Sequence, residues 1–139
     1  MSGVAFVDSN ILIYAYDRDA GPRRDRARNL CEKLWQERSG CLSVQVLQEF
    51  YVTVTRKLRT PLGKAQAREI VRIHASWVTS PTTPETVIRA TDLSEATGIG
   101  FWDALIVAAA EQFGADILYS EDLNDGQVIA GVRVVNPLR

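Results

Sequence analysis

Short β-prone runs alternate with longer segments of helical periodicity along nearly the whole chain. Five of these runs are predicted as strands, at residues 4–7, 41–43, 77–79, 117–119 and 132–135. Helices are predicted between them, at residues 11–16, 22–38, 44–58, 63–75, 84–97 and 101–113. Strands that alternate with helices form a parallel sheet that is covered on both faces. The sequence therefore predicts one three-layer α/β/α domain over residues 1–139.

The composition excludes several classes of protein. Charged residues make up 24% of the chain, and no stretch approaches the roughly 20 apolar residues that a bilayer-spanning helix needs. The first residues lack the basic start of a signal peptide, and Asp8 interrupts their apolar run. Cys31 and Cys41 are too few for a disulfide scaffold and too far apart for a CxxC motif. We therefore expect a cytoplasmic protein without membrane contact.

The charge is unevenly distributed. Residues 1–75 contain 13 basic and 8 acidic side chains, whereas residues 76–139 contain 3 and 9. A basic flank beside an acidic region suits a protein that grips phosphates on one side and binds metal on the other, although solvated helix faces produce the same pattern. Either explanation applies to the densest basic run, which is formed by Arg23, Arg24, Arg26 and Arg28. Three tryptophans are candidates for base stacking, but we expect them to pack in the core: Trp35, Trp77 and Trp102.

Two acidic residues directly follow predicted strands. Asp8 ends the run 4–7, and Asp122 comes shortly after the run 117–119. In open parallel sheets the carboxyl ends of the strands face the ligand crevice. Asp8 is equally suited to cap a helix, and Asp122 to occupy an ordinary turn.

Two further acidic residues lie on predicted helices. Glu49 stands beside the apolar stripe of the helix 44–58, where it is either a functional group or a flank residue that reaches solvent. Asp103 occupies the first turn of the most apolar helix of the chain, where a buried charge is expensive. Its alternative explanation is a favourable interaction with the helix dipole.

Together, Asp8, Glu49, Asp103 and Asp122 can converge at one end of the sheet. Clustered carboxylates repel one another unless a cation compensates their charge, and Mg²⁺ or Mn²⁺ is the natural partner of oxygen ligands. Such an ion activates water for attack on a phosphoryl group. Two polar residues, Asn10 and Ser120, are placed to hydrogen-bond the carboxylates or the water, or to act as cap and turn residues. Two acidic neighbours are close enough to add to the set, although Asp125-Gly126 is also a plain turn signal: Glu121 and Asp125.

Other catalytic patterns are missing from the sequence. The only histidine is His74, on a helix far from the acidic loops, so RNA cleavage by a histidine pair is excluded. No phosphate-binding GxxxxGK[ST] loop and no GxSxG elbow occurs. A dehalogenase-type phosphatase needs an aspartate two residues after the first, where this chain has Asn10.

The ordered motifs of the chain resemble those of the PIN-domain ribonucleases, and most closely the VapC toxins of bacterial toxin–antitoxin pairs. The segments that carry this resemblance are VDSNILIYAYD at 7–17, SVQVLQEFYVTVTRK at 43–57, FWDALIVAAAEQFGAD at 101–116 and LYSEDLNDGQVIAGVRVVNP at 118–137. The resemblance implies a sheet of strand order 3-2-1-4-5, in which the first and fourth strands are neighbours.

The resemblance also implies roles for individual residues. Asp8, Glu49, Asp103 and Asp122 match the acidic quartet that binds Mg²⁺ or Mn²⁺ in the family, and Asn10 and Ser120 match its polar positions. Family members more often have threonine where Ser120 stands, which keeps the hydroxyl. Asp125 also falls on an often acidic position, so the fourth ligand stays open between Asp122 and Asp125.

The activity that the resemblance implies is endonucleolytic cleavage of RNA, leaving a 5′-phosphate and a 3′-hydroxyl. It further implies a homodimer and a cognate VapB-like antitoxin whose C-terminal segment covers the acidic groove. Two alternatives remain: a related nuclease that acts on DNA or in RNA maturation without a toxin role, and a non-catalytic RNA-binding module on the same fold.

Overall fold

A computed structural model describes residues 3–139, so that Met1 and Ser2 lie outside the described range. It contains five strands: β1 (Val4–Val7), β2 (Gly40–Cys41), β3 (Ala115–Tyr119), β4 (Val128–Ile129) and β5 (Val132–Val135). Six α-helices surround them: α1 (Ser9–Tyr16), α2 (Pro22–Glu37), α3 (Val44–Arg56), α4 (Lys64–His74), α5 (Pro84–Thr97) and α6 (Phe101–Gln112). The predicted α/β class with a central, mainly parallel sheet is confirmed.

The strands form one sheet of order β2-β1-β3-β5-β4. β1 is central, and its Phe6 pairs with Cys41 of β2 on one side and with Leu118 of β3 on the other. Phe6 and Leu118 are fully buried, as expected for strands that are covered on both faces. The neighbouring first and fourth predicted strands are thus observed as β1 and β3.

β4 was not predicted, and it pairs antiparallel with β5. The two strands are joined by Ala130 and Gly131, whose φ angles are 52° and 78°. Two consecutive positive φ angles are typical of the tight hairpin turn that matches the twist of antiparallel strands. Glycine adopts such angles without strain, whereas Ala130 is held there by the pairing of Ile129 with Val132.

The predicted strand at residues 77–79 is wrong, and with it the full order 3-2-1-4-5. Residues Ala75–Trp77 continue directly from α4 as a 3-10 helix, and the Leu42 backbone N–H donates to the Trp77 carbonyl at 3.2 Å. The Trp77 ring lies against Gly40 so closely that a Cβ at Gly40 would be 2.7 Å from it. An indole side chain therefore covers the edge of β2, where a further strand was expected.

α6 is the central helix of the core. Residues 104–110 are all buried, and the helix packs between the sheet and α5. α5 begins with a capping box, in which the Thr83 hydroxyl accepts from the Thr86 N–H and the Thr86 hydroxyl accepts from the Thr83 N–H. Within residues 3–139, no single helix is long and apolar enough to cross a membrane; only α5 and α6 taken as a pair, bent by 118° at their junction, meet that criterion by length and composition.

Candidate functional site

The carboxyl ends of β1 and β3 lie side by side and carry the first site residues. Val7 pairs with Tyr119, and the N–H of the next residue, Asp8, donates to the Tyr119 carbonyl at 3.0 Å. Ser120 follows β3 and donates its backbone N–H to the Val135 carbonyl of β5. The parallel register of three strands thus places Asp8 and Ser120 next to each other.

Asp8 is a buried carboxylate with a dense set of hydrogen bonds, and only 3% of its surface is exposed. Its Oδ1 accepts from the Ser9 N–H at 2.7 Å, and its Oδ2 accepts from the Ser120 hydroxyl at 2.8 Å and from the Asn10 amide at 3.4 Å. Asp8 does precede α1 as the capping residue. Capping uses Oδ1 and does not explain why Oδ2 is held by Ser120, 112 positions later in the chain, and by Asn10, two positions later.

The pKa of Asp8 is raised from its ordinary 3.8 to about 7. Burial is the main cause, because it disfavours the charged form, and the charges of Asp122 and Glu49 add to it. The hydrogen bonds from Ser120 and Ser9 act in the opposite direction. The fold therefore keeps a buried carboxylate where its charge is unfavourable without a compensating cation.

Glu49 reaches the same region from α3. Its Oε1 accepts from the Ser9 hydroxyl at 3.0 Å, which links it to the residue that also binds Asp8. Its Oε2 lies 3.5 Å from the amide nitrogen of Gln45, one helical turn earlier, and that nitrogen also donates to the Trp102 carbonyl at 3.3 Å. Glu49 is therefore tied both to α1 and to the beginning of α6.

Asp103 extends the cluster from the first turn of α6. Its pKa is raised, chiefly by burial and then by the charges of Asp122 and Glu49. Asp103 and Asp122 line one cleft of about 280 Å³, together with the segment 97–100. The electrostatic coupling shows that Asp8, Glu49, Asp103 and Asp122 share one neighbourhood.

The loop after β3 is held by three contacts. The Asp122 N–H donates to the Ser120 hydroxyl at 3.1 Å, and the Glu121 N–H donates to the Asn10 side-chain oxygen at 3.3 Å. The Tyr14 hydroxyl donates to Glu121 Oε1 at 2.7 Å. Asn10 and Ser120 thus fix both Asp8 and the loop that carries Asp122.

Asp125 lies apart from this cluster, against the C-terminal segment. Its Oδ1 accepts from the Asn136 N–H at 2.9 Å, and its Oδ2 is 3.7 Å from the Arg139 guanidinium. These contacts suit the turn that the Asp125-Gly126 pair predicts.

The basic run on α2 separates into different roles. Arg26 donates to the Leu138 carbonyl at 2.6 Å and Arg28 to the Ala15 carbonyl at 2.7 Å, so both support the fold. The Nε of Arg24 is buried without a hydrogen-bond partner in the described chain. Arg23 lies over the Tyr14 ring, 5.9 Å from its centre, and is thereby beside the loop that carries Glu121.

Other reactive groups lie elsewhere. His74 is buried between Trp35 and Trp77, and burial lowers its pKa. Burial raises the pKa of both Cys31 and Cys41 to about 12, the opposite of what a nucleophilic thiol requires.

The donor set suits a hard divalent cation. Every candidate ligand is a carboxylate oxygen, which Mg²⁺ and Mn²⁺ prefer. The pKa values of Asp8 and Asp103 are raised chiefly by burial and also by neighbouring carboxylates, so a cation would favour their charged forms. In residues 3–139, no three Asp, Glu, His or Cys side chains are arranged closely enough to enclose an ion as they stand.

Two contributors were missed in the sequence. Ser9 bridges Asp8 and Glu49, and Gln45 bridges Glu49 and α6. The spacing of Gln45 and Glu49, four residues apart on one helix, was a usable signal. The bridge made by Ser9 depends on a residue 40 positions away, which no local pattern indicates.

An α/β domain with carboxylates gathered at the carboxyl ends of its strands is the class that fold and site define. Residues 5–125 match the family model described as "PIN domain", and the chain belongs to this family. PIN domains are nucleases. A comparison with curated proteins found no match.

Three solved structures have a similar fold. The chain is similar to a chain of a toxin–antitoxin complex from Klebsiella pneumoniae, with 20% identity, a TM-score of 0.69 and coverage of 96% of this chain and 97% of that one. It is also similar to a chain of FitAB bound to an IR36 DNA fragment, with 19% identity, a TM-score of 0.72 and coverage of 98% of this chain and 96% of that one. A chain of VapBC2 from Rickettsia felis, bound to a DNA fragment from its promoter, is 20% identical, with a TM-score of 0.62 and coverage of 94% of this chain and 96% of that one. At these identities the likeness establishes the fold.

Proposed function

We propose that this chain is the toxin of a type II toxin–antitoxin system and acts as a Mg²⁺- or Mn²⁺-dependent endoribonuclease. One observation carries the proposal above all others. Asp8 is buried beside further carboxylates, and its charge is uncompensated by any cationic side chain among its hydrogen-bond partners in the described chain. The helix cap needs only one oxygen of Asp8, and burying its charge beside further carboxylates is unfavourable for folding, whereas a metal site requires it.

Each residue of the cluster has a role in this proposal. Asp8, Glu49, Asp103 and Asp122 hold the cation. When bound, the ion polarises a phosphoryl oxygen of the RNA and makes water a better nucleophile. Ser120, Asn10 and Ser9 keep Asp8 and the Asp122 loop in place through the hydrogen bonds described above.

The reaction is hydrolysis of an RNA phosphodiester. Water adds to phosphorus and the bond from phosphorus to the 3′ oxygen breaks, which leaves a 5′-phosphate and a 3′-hydroxyl. The carboxylates would hold the cation, and Arg23 is the member of the basic run best placed to contact the backbone next to the scissile phosphate.

The partner that we propose is a VapB-like antitoxin, supported by similar folds in toxin–antitoxin complexes. An apolar groove of about 470 Å³ lies between α3 and α4 and shares Gln48 and Val52 with the cleft beside Glu49. We assign it to this antitoxin, because a segment that covers the acidic groove would extend into it. Its lining consists of Val44, Leu47, Gln48, Tyr51, Val52, Arg68 and Val71. A homodimer and a cytoplasmic location complete the proposal.

The first experiment measures cleavage of a panel of cellular RNAs and of matched single- and double-stranded DNA by purified protein, with Mg²⁺, Mn²⁺ or EDTA. The test variant is the double change Asp8→Asn and Asp103→Asn. The control is Asp92→Asn, which makes the same change on the exposed face of α5. Metal-dependent cleavage of RNA that only the double variant loses supports the proposal. Cleavage restricted to DNA favours the related nuclease, and binding of RNA without cleavage favours the binding module.

A toxin role has a separate test in cells. Induction of the chain is expected to stop growth, and co-expression of its upstream neighbour is expected to restore it. Growth arrest by the double variant, equal to that of the unaltered chain, would contradict a nuclease mechanism.

A further inference from the structure

The first turn of α6 exposes the largest side chain of that helix. Trp102 is 65% exposed, although the residues that follow Asp103 are buried through position 110. Its ring contacts Phe101 edge-on, with 5.1 Å between the ring centres and 78° between the planes. The expectation that Trp102 packs in the core is therefore wrong. Most of this indole is therefore available to a ligand.

The backbone of Trp102 is tied to the acidic cluster. Its carbonyl accepts from the Gln45 amide, which also reaches Glu49, and its neighbour in the chain is Asp103. Trp102 therefore starts at the border of the region in which we place the cation, and its indole is exposed. A ligand whose reacting group sits among the carboxylates would extend past this ring.

The charges near the site limit how RNA can be held there. The cleft beside Glu49 has Lys57 as the one cation in its described lining, and the described lining of the cleft beside Asp103 contains none. Phosphate contacts usually dominate nucleic-acid affinity, and a cation held by the carboxylates would engage only the phosphate that is cleaved. Because these clefts offer so few cationic side chains, the flanking nucleotides must be held there in part by uncharged contacts. Stacking of bases on aromatic rings is the strongest contact of that kind.

We propose that the Trp102 indole stacks on an unpaired nucleobase of the RNA, adjacent to the phosphodiester that is cleaved. This inference rests on the proposed ribonuclease function and names a single-stranded segment as its substrate. A base must be unstacked from its neighbours to lie on a protein ring, and loops and unpaired ends provide such bases. The stack sets the position of the strand and leaves the chemistry to the carboxylates.

The test compares Trp102→Ala and Trp102→Phe with the unaltered protein on one RNA that the protein cleaves. Loss of the ring should raise KM about tenfold and change kcat less than twofold, since stacking is worth about one order of magnitude per base. Phenylalanine should retain part of the affinity. The control is Trp35→Phe, because Trp35 is also substantially exposed, at 44%, but lies with His74 and Trp77 away from the acidic cluster.

A salt titration separates stacking from a structural effect. The KM of Trp102→Ala should exceed that of the unaltered protein by the same factor at low and high salt, because stacking releases no counterions. A lost phosphate contact would instead give a factor that shrinks as salt is added. In the Trp35→Phe background, binding of a non-cleavable RNA analogue should quench tryptophan fluorescence, and Trp102→Phe should remove most of this quenching.

Three results would overturn the stacking role. The first is an unchanged KM, and the second is a fall in kcat alone, which indicates a displaced α6. The third is normal RNA kinetics together with weakened dimerisation or antitoxin binding, which assigns the ring to a protein interface. In all three cases the unaltered protein still cleaves RNA, so the proposed function stands. Absence of any nucleic-acid cleavage by the unaltered protein would remove both proposals.

Discussion

The hydroxyl of Ser120 donates a hydrogen bond of 2.8 Å to Asp8, a residue 112 positions earlier in the chain. This bond joins the carboxyl ends of β1 and β3, and the same hydroxyl accepts from the Asp122 N–H. One small side chain thus connects the buried carboxylate with the loop that carries a second one. Ser120 is one of the polar residues predicted from the sequence to support the site, and this geometry shows what its hydroxyl contacts.

Ser120→Ala is expected to reduce activity without unfolding the protein. The change removes the donor to Asp8 and the acceptor of the Asp122 N–H, and loss of such a supporting contact typically lowers metal affinity or activity by about 10- to 100-fold. Ser120→Thr keeps the hydroxyl and should stay within a few-fold of the unaltered protein. Metal titrations followed by calorimetry, together with kcat at saturating metal, provide the measurement. Equal activity of the alanine variant would contradict the role.

Asp122 and Asp125 should respond differently to the same change. Asp122→Asn removes a carboxylate from the cluster and should lower kcat by at least about 100-fold, as is usual for a group that acts on the charge of the transition state. Asp125→Asn leaves the cluster intact and weakens the contacts with Asn136 and Arg139, at a cost of roughly 1 kcal/mol in unfolding free energy. Cleavage assays and thermal unfolding separate the two effects. The opposite ranking in activity would make Asp125 the fourth ligand.

The unfolding free energy of the metal-free protein should depend on pH through the ionisation of Asp8. Its pKa is higher in the folded state, about 7, than the ordinary 3.8, so the folded state binds the extra proton between these values. Stability from this group is therefore present below about pH 4 and is lost as the pH rises to 7, by as much as roughly 4 kcal/mol.

Asp8→Asn isolates this effect, because the buried His74 changes stability in the opposite direction. The pKa of His74 is lowered by burial, so acidification through the ordinary histidine range favours unfolding in both proteins. Chemical unfolding in EDTA at several pH values should show that the unfolding free energy of the variant rises relative to that of the unaltered protein as the pH increases. Mg²⁺ at pH 8 should stabilise the unaltered protein and not the variant. A constant difference between the two proteins across pH would show that Asp8 is ionised without metal.

Val44→Asp is expected to weaken binding of the antitoxin. Val44 is exposed in the groove between α3 and α4, so the charge should not disturb folding, but it must be desolvated when an apolar segment covers it. We expect at least about a tenfold loss of affinity and unchanged RNA cleavage by the free toxin. Val87→Asp, at an exposed position of α5, serves as the control. A variant that instead dissociates a dimer would assign the groove to a second copy of the chain.

The acidic quartet was accessible from sequence for a physical reason. Asp8 and Asp122 follow buried apolar strands, and Asp103 begins a helix that is apolar on all sides, so each charge stands out against its local pattern. The order of the motifs then indicated a PIN domain, and the family match over residues 5–125 confirmed that family. The roles of these four residues remain predictions, and the experiments above test them.

Contacts across the fold were not accessible in the same way. Trp77 was assigned to a strand because its neighbours are β-prone, but its ring fills the space beside Gly40 and the segment becomes a 3-10 turn. Trp102 was assigned to the core because tryptophan is usually buried, but the first turn of α6 directs it to solvent. In both cases the surroundings of the ring, covered for Trp77 and open for Trp102, come from distant parts of the chain that no local pattern encodes.

The sequence by itself determined the alternation of strands and helices and the acidic residues at their ends, because side-chain periodicity and capping act within a few positions. Only the tertiary structure decided that Ser9 joins Asp8 to Glu49, that Gln45 joins Glu49 to α6, and that Arg26 and Arg28 support the fold. These contacts depend on the register of parallel strands and on the packing of helices against them, and both are fixed by the whole core at once.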